Sequence, residues 1–324
     1  MSPVCSARSA FRKRVRPLVA VALLCAPVAC ERQSVVSNAD SAASTAGSAI
    51  PDSAAPAVSG SGWDAASGPF VLLPTVDGGL LAGSLLRADA TELTVGDTVG
   101  VGVESADGRV ELFSRSGLVG TARLTVEAAP RMGEGCTAWP VARLALDQGQ
   151  APVPWTAAFV MGRVTAIPLD SIEGLAPRDS ARLASDLTRL ASGLRDDTSS
   201  TFRGLPFVVV RAWRSRGLDS AFVIATLARR VNQEDDPKEE RLVIVVDAIG
   251  NDAKRWTVAW HERAAGHEEE LVVAEPLLAF RNIGVAEVRL LFGRDDGVAL
   301  GAAVLSRSST GWRVLWESAV AGCN

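Results

Sequence analysis

Two histidines bound the imidazole chemistry open to this chain. His261 and His267 stand in the run His261-Glu262-Arg263-Ala264-Ala265-Gly266-His267-Glu268-Glu269-Glu270. On a helix, a spacing of six would set the rings on different faces. On a hairpin turning at Ala264-Ala265-Gly266 the rings oppose each other, with Glu262 or Glu268 as further ligands, a set that suits zinc or copper. The plainer reading is an exposed polar turn, and on it no metal or other cofactor is expected. Acidic stretches at Glu234-Asp235-Asp236-Pro237-Lys238-Glu239-Glu240 and Arg294-Asp295-Asp296-Gly297 offer oxygen ligands. Neither has the Asp-x-Asp-x-Asp-Gly rhythm that spaces ligands around calcium, so both are expected to be solvated loops. The chain has no Gly-x-Ser-x-Gly, Ser-x-x-Lys, Cys-x-x-Cys, His-Glu-x-x-His or Gly-Lys-Ser/Thr phosphate loop. Any acid–base catalysis is left to Asp and Glu residues scattered along the sequence.

Tryptophan is abundant, eight residues against no tyrosine. Alternation along a strand places Trp256, Val258 and Trp260 on one face, and Trp312, Val314 and Trp316 on one face of another. Exposed, these indoles would stack on sugar rings. The intervening valines favour burial in a core.

The N-terminal 30 residues have three parts: a basic segment (Phe11-Arg12-Lys13-Arg14-Val15-Arg16), an apolar run from Leu18 to Leu24, and Ala26-Pro27-Val28-Ala29-Cys30. Positive charge stays in the cytoplasm while the apolar run enters the translocon, and small residues expose the backbone to a peptidase. An apolar stretch of about 13 residues is too short to span a bilayer, which argues against an uncleaved anchor. This segment resembles the signal of bacterial lipoproteins, which ends in a lipobox whose cysteine is acylated and becomes the mature N-terminus. Val28-Ala29-Cys30 matches the end of that motif; Pro27 stands where a leucine-like residue is usual. The resemblance implies a signal peptide over 1–29, lipid on Cys30 and export to the cell envelope. Glu31 after the cysteine implies the outer membrane, facing the periplasm. The alternative is an ordinary cleaved secretory signal. The folded part resembles no family.

Residues 30–68 are rich in Ser, Ala, Gly and Pro, too poor in apolar surface to offset their chain entropy, and read as a disordered tether. Trp63 marks where the tether meets the folded part. With the leader removed and Cys30 acylated, Cys136 and Cys323 remain as a pair in an oxidising compartment and are expected to form a disulfide. A bridge of ordinary geometry sets their Cα atoms about 4.4 to 6.8 Å apart.

From Pro69 onward, strand-length apolar runs alternate with turn residues: Phe70 to Leu73, Val110 to Ser114, Leu118 to Val126, Trp139 to Leu146 and Trp155 to Ile167. Residues 69–169 therefore read as a small β domain, barrel or sandwich. Over 177–195 the period changes: Leu183, Leu187, Leu190 and Leu194, with Ala184 and Ala191, form one apolar stripe between Pro177 and Gly193. This predicts one amphipathic helix. Strands follow at 206–214, 221–231, 241–248, 255–262, 269–275, 287–292, 298–306 and 312–317, with connections short enough for antiparallel neighbours. Residues 170–324 read as an α+β domain with a large antiparallel meander. The class is α+β, mostly antiparallel β.

Net charge is −4. The first 29 residues hold five of the 33 basic residues and no acid, so the mature chain carries 28 basic against 37 acidic residues, a net of −9. That balance repels nucleic acid. The sequence thus points to a membrane-tethered envelope lipoprotein acting as a binding module for a protein or glycan rather than as an enzyme. The rivals are an envelope hydrolase using Asp/Glu and a structural subunit of an envelope complex.

Overall fold

In the computed structural model, residues 70–75, 81–87, 108–127, 134–194, 200–231, 236–250, 255–267, 271–295 and 299–323 are described. All lie within one compact unit, Pro56–Asn324. The signal, Cys30 and the tether fall outside the described residues.

Six strands close a barrel in the order β1-β2-β5-β4-β3-β6: β1 Phe70–Pro74, β2 Ala82–Arg87, β3 Arg109–Ser114, β4 Gly117–Glu127, β5 Val141–Leu146 and β6 Ala157–Val160. Of the two expected forms of the first β region, the barrel is the one adopted. Strand alternation sends Phe70 and Leu72 inward to Leu85, Leu112, Leu124 and Trp155. Val71 and Leu73 point the other way, into a second cluster with Phe159, Phe280 and Trp316. β1 is thus apolar on both sides because both sides are covered. Gly83 answers to packing: a Cβ there would lie 2.5 Å from the Leu73 carbonyl oxygen and 2.9 Å from the Trp155 ring.

Val164–Ile167 (β7) does not continue β6. Gly162, at φ +70°, turns the chain out of the barrel, so the apolar run 155–167 is two strands in different sheets. β7 pairs with β13 (Glu275–Asn282), and the short β8 (Leu169–Ser171) pairs with β9 (Val208–Ser215). Each then edges a four-stranded meander. One sheet runs β12-β11-β10-β9-β8, with β10 Phe222–Val231, β11 Lys238–Ala248 and β12 Trp256–His267. The other runs β16-β15-β14-β13-β7, with β14 Arg289–Asp295, β15 Leu300–Ser308 and β16 Gly311–Glu317. The two face each other across Phe222, Ile224, Val243, Val245, Leu290, Phe292 and Trp312. The sequence pattern misses β2 and β13; of the strand expected at 269–275, the described residues 271–274 are non-regular and pairing begins at Glu275.

The expected helix is α1, Pro177–Ser192, with proline at its first position and Gly193 closing it. Leu183, Leu187 and Ala191 are buried against Phe207, Leu227, Leu242 and Ile244 on the outer face of the β8–β12 sheet. The class is α+β and mostly antiparallel β, as the period changes in the sequence imply.

Cys136 and Cys323 are disulfide-bonded with Cα atoms 4.0 Å apart. This is closer than the expected range because the two are direct partners in an isolated antiparallel bridge. The neighbouring Thr137 N–H donates to Gly322 O at 2.8 Å, which leaves the cysteines at a narrow, non-hydrogen-bonded position.

Candidate functional site

The half of the β8–β12 sheet nearest Val208, Arg230 and Glu239 carries the densest array of buried charge described. β10 and β11 pair in a register that sets Arg229 opposite Glu240 and Arg230 opposite Glu239. Alternation sends one pair to each face.

On the helix-facing side, the Glu240 side chain is 1% exposed and accepts from both Arg229 Nε and Arg263 Nη1. Arg229 also donates to Leu205 O at 3.4 Å, and its guanidinium lies 4.6 Å over the Phe207 ring and 5.7 Å over Phe202. The cluster fastens the stretch before β9 to the sheet. It backs a cavity of about 330 Å³ also lined by Ser192 and Arg203.

On the opposite side, Glu239 is again 1% exposed and is gripped by Arg230 at 3.3 Å and Arg241 at 3.0 Å. This pair floors a groove of about 350 Å³ whose other walls include Val210, Arg211, Trp213, Val273, Glu275 and Asp295. A second hollow of about 360 Å³ shares Val273, Glu275 and Asp295 and continues to Leu73, Thr75 and Trp155 at the barrel. Glu275 sits at the junction. It pairs with Arg115 and lies 3.6 Å from Arg211. Arg115 donates from Nε to Pro276 O at 2.6 Å and stacks 4.9 Å over Trp213. Four guanidiniums thus meet three carboxylates along one groove, and each hollow lies within the size range of ordinary ligand sites. The hydroxyl of Thr156, at the barrel end, donates to Leu277 O at 2.8 Å, so it is tied to backbone.

The sequence-read site residues lie elsewhere. Ala264-Ala265-Gly266 is not a turn: β11 begins at Lys238, earlier than its apolar run, and pairs β12 through to His267. His261 and His267 therefore lie on one strand, roughly 20 Å apart at about 3.3 Å per residue. His261 pairs across to Ile244, while His267 Nδ1 lies 3.1 Å from Asp236. The two rings are not brought together, and this overturns the metal pair. Among the described residues no group of three or more His, Cys, Asp or Glu is arranged to hold a metal. The acidic stretch 234–240 is not a solvated loop over its last residues, since Glu239 and Glu240 are buried in β11. Nor do the tryptophans form two one-faced rows. A bulge opposite Val245/Val246 reverses the alternation of β12, so Trp256 packs under α1 while Trp260 packs between the sheets. Val314 is 41% exposed, whereas Trp312 and Trp316 are buried.

Sequence reading misses Arg115, Arg211, Arg230, Arg241 and Glu275, and places Glu239 only in an acidic loop. One signal was available: Arg229-Arg230 and Glu239-Glu240 stand symmetrically about a hairpin, as cross-strand pairs of opposite charge do. No family model, curated protein or solved structure matches the chain.

Proposed function

We propose that this is an exported envelope lipoprotein, anchored through lipid on Cys30, whose folded part binds a partner protein in the arginine–carboxylate groove. The observation that carries the anchoring is the basic, then apolar leader ending at Val28-Ala29-Cys30. The Cys136–Cys323 bridge supports the same reading, because structural disulfides persist in oxidising compartments and are rare in the cytosol. No helix among the described residues is long and apolar enough to cross a membrane. Binding is supported by a groove whose polar groups are held in place by paired guanidiniums. A protein fits it better than a glycan, since Trp155 and Trp213, the tryptophans that line the two hollows, are only 5% and 8% exposed, and Arg115 already stacks on Trp213.

The test is the N-terminus of the mature protein. Mass spectrometry should find diacylglycerol on Cys30, the protein should partition into detergent, and Cys30→Ala should release it. An unmodified N-terminus at Cys30 would sink the reading.

A second reading, an envelope hydrolase, is favoured by the convergence of Glu239, Glu275 and Asp295 on one groove. It expects hydrolysis of an envelope peptide or polysaccharide that disappears in Asp295→Asn while the melting temperature holds.

A further inference from the structure

The cavity on the helix-facing side of the β8–β12 sheet, about 330 Å³ in volume, is walled in part by three arginines, Arg203, Arg229 and Arg263. Among the described residues, no Asp or Glu lines it. Glu240, which accepts from Arg229 and Arg263, offsets one of the three charges. The described groups therefore leave an excess of two positive charges around one hollow, and arginine keeps its charge at any working pH.

Arg229 carries the argument further. Its side chain is only 8% exposed. Nε donates to Glu240 and Nη1 to Leu205 O, which leaves Nη2 buried and without a hydrogen-bond partner. A buried donor left unmade costs free energy, and such an orphan beside a cavity is accounted for by a bound ion or water.

We propose that this cavity binds a small organic anion, its phosphate or carboxylate head held by Arg203, Arg229 and Arg263. Guanidiniums take both kinds of oxyanion through paired, charge-assisted hydrogen bonds. The hollow is larger than a bare oxyanion and falls at the lower end of the size range of ligand sites. Leu194, Leu205 and Pro206 on its wall cover an apolar body.

Two features work against an anion, and neither removes the excess. The end of α1 at the cavity is the negative end of the helix dipole. Its carbonyls are engaged, however: Thr188 O accepts from Ser192 Oγ at 2.8 Å, Arg189 O and Leu190 O from Gly193 N–H at 3.1 Å, and Ala191 O from Leu194 N–H at 3.2 Å. The chain also carries rival anions, since Asp196 and Asp197 stand in sequence between Leu194 and Ser200, outside the described residues. With Arg195, the stretch 195–199 has a net charge of −1, which does not cancel an excess of two.

The experiment titrates the full chain calorimetrically with phenyl phosphate and with benzoate. At least one should bind saturably, one per chain, and the tighter of the two identifies the head group. Arg203→Ala, at an exposed position, should weaken binding about tenfold or more with an unchanged melting temperature. Arg211→Ala, in the groove on the other face, should leave it unchanged. No saturable binding of either anion up to about 10 mM overturns the proposal. So does binding that survives Arg203→Ala, or that is lost in Arg211→Ala instead. Binding that appears only in Asp196→Asn/Asp197→Asn also overturns it, because the cavity then belongs to the chain's own acids. None of these outcomes depends on the state of Cys30 or on what occupies the groove.

Discussion

Glu240 is a single carboxylate shared by two guanidiniums at a site almost sealed from water. Desolvation makes such a cluster a weak source of net stability, yet removing one member leaves an uncompensated charge. Glu240→Gln strands Arg229, which is only 8% exposed, and should cost about 3 to 5 kcal/mol, read as a lower urea midpoint at unchanged slope. Replacing Arg229, Glu240 and Arg263 together by apolar residues of similar volume should recover most of that loss. The cluster was half legible in the sequence. The pairs Arg229-Arg230 and Glu239-Glu240 are opposite charges at matching distances from a turn, but Glu239 and Glu240 extend an acidic run and were read with it. Glu240 is also held by Arg263, 23 residues further along, and no local pattern announces a partner at that distance. The groove was less legible still. Glu275 is held by Arg115, 160 residues earlier, and only the packing of the barrel beside the sheets joins them.

Among the elements, α1 is the best specified, because an amphipathic helix writes its own period. Leu187 is completely buried at the centre of its apolar stripe. Leu187→Ala should destabilise the protein by about 2 to 5 kcal/mol in denaturant unfolding, whereas Ala at the exposed Arg182 should leave the midpoint within error. Most strands were equally plain as alternating apolar runs. Their faces were not, where a bulge intervened. In β12 an extra residue sits opposite Val245/Val246, so every side chain beyond it faces opposite to what an unbroken count assigns. That one residue separates Trp256 from Trp260 and places Glu262 toward Arg294, 2.6 Å away in the other sheet. A bulge has no residue signature here, since Ala259 reads like any strand alanine. β13 escaped notice because Pro276 and Arg281 interrupt its apolar pattern.

At the scale of the molecule, the apolar cluster around Val71, Phe159, Phe280 and Trp316 joins strands of the barrel to strands of the β7–β16 sheet. The Cys136–Cys323 bridge is added to that contact, closing a separation of 187 residues. Constraint of the unfolded chain by a loop this long is worth up to about 5 kcal/mol in the chain-entropy model. Reduction should therefore lower the melting temperature by several degrees and leave the far-ultraviolet spectrum at 20 °C unchanged, since the apolar clusters do not need the bridge to pack. Loss of the spectrum on reduction would show that the bridge holds the fold rather than reinforces it. The pairing was legible by counting cysteines. That they face each other within one narrow strand pair was not, because Cys136 and Cys323 lie outside the apolar runs that mark strands.

The separation of those cysteines also sets a clock. At about 5 to 20 residues per second of synthesis, Cys323 follows Cys136 by roughly 10 to 40 seconds. Cys136 is therefore made, with all six barrel strands, well before its partner. A waiting thiol is open to exchange with any other cysteine within reach. Of the three that precede it, Cys5 and Cys25 would leave with the proposed signal peptide, and acylation of Cys30 would take away the third. On the proposed function, the lipid would both hold the protein at a membrane and withdraw a competitor from oxidative folding. Cys30→Ala would then detach the chain without raising its yield of wrong bridges, whereas blocking acylation with Cys30 intact would do both.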